Sequence, residues 1–218
     1  ELSNLNRQIL YSTQSVGELK SEEAQKYASH FNPEIDFQTI HLEIKSKIDV
    51  IKLIGTTNFD FVINVADYPT GYIDFWVNEA CVEKRIPLIA ALVDKKNGRV
   101  YSVIPGKTAC YQCQYDDELR TLPTHQEEIS EMQKAQHTNS SYYRSPNGAL
   151  GPSCLFQGFF VSNEIMRFIF YGPEHMLTFN RRFSIDFMSF KQAFTDLHKL
   201  PTCKICGGLN YAANSKSI

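Results

Sequence analysis

From Phe59 to Ala66 the chain runs Phe-Asp-Phe-Val-Ile-Asn-Val-Ala, a β-branched, mostly apolar stretch of the kind that forms a buried parallel strand. It stops at Asp67, ahead of the turn residues Pro69-Thr70-Gly71. Tyr72, Ile73, Trp76, Val77, Ala80 and Cys81 then recur at helical spacing, and Pro87 to Leu92 is a second apolar run. Strand, helix and strand in that order make a βαβ unit, which predicts an α/β chain with a mainly parallel sheet.

Around this unit the pattern predicts further elements. Residues 18–28 are rich in good helix formers and end before Asn32-Pro33. A weak alternation from Phe37 to Ile44 predicts a strand, Ile48 to Ile54 a short helix, and Val100 to Ile104 a strand. Ser153 to Phe170 reads as a buried helix, and Met176–Phe179 and Phe183–Phe190 as strands. Gln114 to Ser145 breaks the pattern: it is polar and aperiodic, so a mobile crossover loop is expected there, one that orders over a bound substrate.

Composition narrows the class. The chain has 218 residues, 43% hydrophobic and 21% charged, which suits one soluble globular domain. A net charge of −2 gives no general attraction for nucleic acid or an anionic membrane, and argues against a zinc-ribbon nucleic-acid binder. No run approaches the roughly 18 apolar residues of a membrane span. The opening, Glu1-Leu2-Ser3-Asn4, is neither a signal nor a transit peptide, and it has no initiator Met, so Glu1 need not be the natural start.

Four of the six cysteines fall in two pairs, Cys110-x-x-Cys113 and Cys203-x-x-Cys206. In a chain without a signal peptide this spacing points to metal rather than disulfides, and to a reducing, cytoplasmic setting. Four thiolates suit tetrahedral Zn²⁺ and leave no open position, so the zinc is expected to be structural, stapling the C-terminal part onto the domain. Lys107 and Lys204 are placed to offset the charge, and Gly207-Gly208 to permit a tight turn. Cys81 is expected in the core. Cys154, near a helix N-terminus where a thiol pKa can fall, is expected to pack against the sheet.

Ser3-Asn4-Leu5-Asn6-Arg7-Gln8, Tyr11 and Val16-Gly17-x-x-Lys20, Asp67 at its strand end, Cys110-Tyr111-x-Cys113 and Cys203-x-x-Cys206-Gly207 together resemble the ThiF/MoeB/HesA ubiquitin-activating-enzyme-like adenylating family. Pro105-Gly106-Lys107-Thr108-x-Cys110-Tyr111-x-Cys113-Gln114 and Ala66-Asp67-x-Pro69 are closest to its microcin-C-type branch, which activates the C-terminus of a short peptide. The resemblance implies a Rossmann-like α/β fold with helices on both faces of the sheet and a zinc-stapled C-terminal part.

It also implies ATP-dependent adenylation of the C-terminal carboxylate of a peptide or ubiquitin-like carrier protein. Arg7 and Lys20 are implied as the phosphate-binding cations, Asn4 and Gln8 as further nucleotide contacts, and Asp67 as the Mg²⁺ ligand, with ATP, Mg²⁺ and structural Zn²⁺ as cofactors. A homodimer or pseudo-dimer packed partly through the helix near Leu155 to Ile169 is implied too.

One departure stands out. The family's Gly-rich G-x-G-x-x-G turn and acidic ribose-binding strand end, which precede the Asn4 to Gln8 motif, do not occur here. The expectation is therefore one ThiF-type domain over 1–218 lacking its first βαβ segment and inactive alone. The alternative is a catalytically incomplete partner subunit or pseudoenzyme.

Overall fold

The apolar run around Ile63 forms a strand of three residues, β1 (Val62–Asn64). In the computed structural model, which describes residues 2–55, 57–122, 124–137 and 148–208, β1 pairs in parallel with β2 (Leu88–Asp94). α3 (Ile73–Lys84) joins them, so the βαβ unit read from the sequence is present; ahead of it in the chain lie α1 (Lys20–Phe31) and α2 (Lys47–Gly55). α3 ends where Arg85 turns to φ +57 and its N–H bonds back to the carbonyls of Cys81 and Val82.

Beyond β2 the chain departs from the expected parallel sheet. Only Lys95 and Lys96 separate β2 from β3 (Asn97–Val103), and a link that short returns the strand antiparallel. β4 (Arg181–Asp186) and β5 (Lys191–Asp196) continue the antiparallel pairing in the order β1-β2-β3-β4-β5. The Rossmann-like α/β arrangement stands, but its sheet is mixed: among the described residues only β1 and β2 are parallel. A parallel pair needs a long crossover, and α3 supplies the one that β1 and β2 share.

Alternation along the central strands builds a core on each face. Leu88 and Ala90 of β2, with Tyr101 and Val103 of β3, face α2 and α3 and the four paired cysteines. Ile89, Val100, Phe183 and Ile185 face Val161 and Phe160 of α6 (Gly151–Tyr171). Helices thus cover both faces. No helix among the described residues is long and apolar enough to cross a membrane.

Several expectations need correcting. Residues 37–44 form no strand; Ile40 and Leu42 are exposed. Met176–Phe179 is a turn region after a 3-10 turn at Pro173–His175, and Phe183–Phe190 splits into β4 and a turn. The polar segment expected as a loop is largely helical, as α4 (Tyr111–Thr121) and α5 (His125–His137). Its part from 138 to 145 lies outside the described residues. α4 buries Gln112, Cys113 and Gln114 rather than an apolar stripe, which hides its period, and α5 is built from strong helix formers with few apolar residues.

Candidate nucleotide and metal sites

The Asn4 to Gln8 motif winds as a short helical turn, the N–H groups of Arg7 and Gln8 both donating to the Asn4 carbonyl, at 3.2 and 3.1 Å. Such winding puts positions 4, 7 and 8 on one side. The Arg7 guanidinium is held from below: Nη2 donates to Asn4 Oδ1 at 2.9 Å, and Nη1 to Asn6 Oδ1 at 3.0 Å and the Ser3 carbonyl at 3.3 Å.

The motif is docked on the start of α6. Asn6 Nδ2 donates to the Ala149 carbonyl at 3.1 Å. Gly151 comes so close that a Cβ there would lie 2.6 Å from the Asn6 carbonyl oxygen, so a side chain at 151 would displace the motif. A guanidinium beside a helix N-terminus is a locally positive place, suited to an anion. Cys154 sits in the first turns of α6; burial pushes its thiol up and the Arg7 charge opposes this only in part, so it is not an activated thiol. Cys81 is fully buried, as expected, and its thiol is pushed up to about 12 by that burial.

Lys20 opens α1 with its side chain exposed, and its carbonyl accepts from the Tyr11 hydroxyl at 3.0 Å. Asp67 is exposed in the turn after β1, its carbonyl accepting from the Thr70 hydroxyl at 2.7 Å. Among the described residues no hydrogen bond or ion pair joins Asp67 to Arg7 or Lys20. The structure thus gathers Asn4, Arg7 and Gln8 into one turn and leaves the charged ends of Lys20 and Asp67 open to solvent.

A polar cluster at the end of β1 was not anticipated from the sequence. Asn64 Nδ2 donates to Asp74 Oδ1 at 2.8 Å, while Asn64 Oδ1 accepts from the Ala66 N–H at 3.3 Å. Burial raises the Asp74 carboxyl to about 6, with the Asn64 hydrogen bond pulling the other way. Tyr101 and Tyr111 stack nearby at 5.7 Å, and the buried Tyr101 hydroxyl has no partner. The available signal was Asn64 itself, a polar residue inside an apolar strand run.

The four paired cysteines meet as their spacing requires. Cys110 is the residue before α4, Cys113 lies in its first turn, and the C-terminal turn brings up Cys203 and Cys206, all four buried. Their sulfurs all lie within 4.8 Å of one another, with Cys110 to Cys203 at 3.7 Å, Cys110 to Cys113 at 3.9 Å and Cys113 to Cys206 at 3.4 Å. Four sulfurs at about 2.3 Å from one tetrahedral zinc would stand about 3.8 Å apart, so the cluster fits such an ion.

The surroundings favour thiolate at Cys113. The Leu200 N–H points at Cys113 Sγ at 3.4 Å, and the hydrogen bond from Cys110 holds the Cys113 thiol far below its usual range. That same bond pushes Cys110 up. Gly207 is required, since a Cβ there would lie 2.3 Å from the Pro201 carbonyl oxygen. Lys107, which the sequence placed to offset the charge of the cluster, has an acidic partner. Its ammonium pairs with Glu174 at 2.5 Å, because the chain after β3 turns it toward the 3-10 turn at Pro173.

Comparison with known proteins places these features in a common frame. The ThiF family model matches residues 1–205. The sulfur carrier protein adenylyltransferase of Thermus thermophilus is 31% identical over 121 residues, 52% of this chain and 42% of that protein. The SAMP-activating enzyme E1 of Haloferax volcanii is 28% identical over 126 residues, 56% of this chain and 44% of that protein. Among solved structures, E. coli MccB with AMPCPP and MccA superposes with a TM-score of 0.75 at 27% identity, covering 95% of this chain and 56% of that one. The chain thus spans about half the length of these relatives.

Proposed function

Because the chain belongs to the ThiF family, we propose that it takes part in ATP-dependent adenylation of the C-terminal carboxylate of a peptide or ubiquitin-like carrier protein. The observation that carries this reading is the family match over nearly the whole chain, joined to its likeness to MccB solved with AMPCPP and MccA. In the reaction a carboxylate oxygen attacks the α-phosphorus of ATP; the new O–P bond makes an acyl-adenylate, the α–β phosphoanhydride bond breaks, and pyrophosphate leaves.

Two anions must approach, so catalysis rests on placed positive charge. Arg7 offers the phosphates a fork already oriented by Asn4, and Lys20 a mobile point charge. Asn4 and Gln8 add polar contacts on the same turn. Asp67, a hard and exposed carboxylate at a strand end, would hold Mg²⁺, whose charge would offset that of the phosphates.

Cys110, Cys113, Cys203 and Cys206 would hold one structural Zn²⁺, and the reducing cytoplasm would keep them competent for it. Phe159, Met166 and Phe170 lie exposed on α6, away from its sheet-facing side, and support assembly of a homodimer or pseudo-dimer there. The test of the activity is exchange of labelled pyrophosphate into ATP in the presence of a C-terminal carboxylate.

A further inference from the structure

Val65, Ala66, Asp67 and Tyr68 are all exposed, so packing does little to hold the stretch that carries Asp67. On its far side the chain is anchored by Pro69, which is buried and whose carbonyl accepts from the Tyr72 and Ile73 N–H groups at 3.0 and 2.9 Å. On its near side the anchor is Asn64, the last residue of β1 and 6% exposed.

The Asn64 amide is used at both ends. Its Oδ1 accepts from the N–H of Ala66, the neighbour of Asp67, at 3.3 Å, and its Nδ2 donates to Asp74 Oδ1 at 2.8 Å. An ionised carboxylate offers only acceptors, so Asp74 selects which way the amide lies. Turned over, the amide would set its oxygen against the Asp74 oxygen and its NH₂ against the Ala66 N–H, a mismatch at both ends. Asp74 therefore decides that an acceptor faces Ala66. It lies in the first turn of α3, so the same bond ties the end of β1 to the start of the helix beyond the Asp67 turn.

We propose that Asp74 is a positioning residue: acting through Asn64, it fixes the exposed turn so that the Asp67 carboxylate is held ready for a divalent cation. The inference rests on the role proposed above for Asp67. A ligand group held in place beforehand gives up less freedom on binding. Losing the brace therefore raises the Mg²⁺ concentration that is needed more than it lowers the rate once Mg²⁺ is saturating.

Three variants test this in the 218 residues joined to the Gly-rich N-terminal segment that the family carries. Asp74→Leu removes the acceptor. Asp74→Ser, which suits the start of a helix but has too short a side chain to reach Asn64, removes it without added bulk. Asp74→Asn keeps an amide oxygen for Asn64. The first measurement is amide hydrogen exchange without nucleotide or metal. The Ala66 N–H should exchange about tenfold faster in the Leu and Ser variants, the scale of losing one hydrogen bond, and at the parental rate in Asp74→Asn. The second is the Mg²⁺ concentration for half-maximal pyrophosphate exchange. It should rise about tenfold in the same two variants and stay parental in Asp74→Asn. A merely structural role would lower the melting temperature and leave the Mg²⁺ requirement where it is.

An unchanged Mg²⁺ requirement in Asp74→Leu and Asp74→Ser, with or without faster Ala66 exchange, overturns the proposal. So does an equal rise in Asp74→Asn, since the bond would then not be the cause. If the parent protein shows no pyrophosphate exchange at all, the adenylation reading falls, and exchange at Ala66 alone decides whether Asp74 holds the turn.

Discussion

Glu164 closes on Thr178: its carboxylate accepts from the Thr178 N–H at 2.8 Å and from the Thr178 hydroxyl at 2.5 Å, with Glu164 itself 0% exposed. It accepts from the Leu177 N–H as well, at 3.0 Å, and the Ser102 hydroxyl donates to the Thr178 carbonyl at 3.0 Å. An acid in the middle of an apolar helix thus ties α6 to the chain entering β4 and, through Ser102, to β3. Each buried donor left unpaired costs about 1–3 kcal/mol. Glu164→Ala should therefore lower stability by about 3 kcal/mol or more in urea unfolding. Glu164→Gln should cost less, because one oxygen remains to accept.

Asp74 makes a pH-dependent contribution. Its carboxyl is raised to about 6 by burial, so the folded state favours the protonated form. Its stabilising effect is complete below the ordinary carboxylate pKa and is lost as pH rises through about 6. At neutral pH the buried charge then opposes folding by an amount of order 3 kcal/mol. Asp74→Asn, which can still accept from Asn64, should be more stable than the parent at pH 7. That advantage should vanish near pH 4, a difference readable from denaturation midpoints at the two pH values.

The cysteine cluster predicts one zinc ion per chain in elemental analysis of freshly purified protein. Cys203→Ser should release it and loosen the chain after β5, seen as faster amide exchange around Leu200. Metal content near zero in the parent protein would contradict the assignment.

Arg7 and Asn4 form a donor–acceptor pair in which the amide orients the cation. Arg7→Ala should weaken ATP binding more than Asn4→Ala, since the first removes the charge and the second only its support. Equal losses, or none, in titration calorimetry with ATP would argue that this turn does not meet the nucleotide.

How far the sequence foretold the structure depends on what each segment buries. The β1–α3–β2 unit was legible because its strands are apolar and its helix has an apolar stripe, and the metal cluster because four cysteines at fixed spacing admit few other readings. β5 was not, since all six of its residues are exposed and carry no alternation. α4 and α5 were hidden by polar surfaces. The antiparallel half of the sheet follows from the Lys95-Lys96 hairpin, where Lys95 takes φ +51 without a glycine to announce it. Asp74 gained its importance only when burial became visible.

The central claim is that Asp67 and the Arg7 turn serve activation of a C-terminal carboxylate by ATP, and pyrophosphate exchange tests it most directly. The 218 residues, joined to the Gly-rich N-terminal segment that the family carries, are supplied with ATP, Mg²⁺, labelled pyrophosphate and a pool of short peptides, either with free C-termini or with the same sequences amidated. The account predicts label entering ATP with the free-acid pool alone, and a loss of about 10²–10³ in rate for Asp67→Asn, on the scale of removing one preorganised group from an active site. Exchange that is equal with the amidated pool, or that survives unchanged in Asp67→Asn, would contradict it.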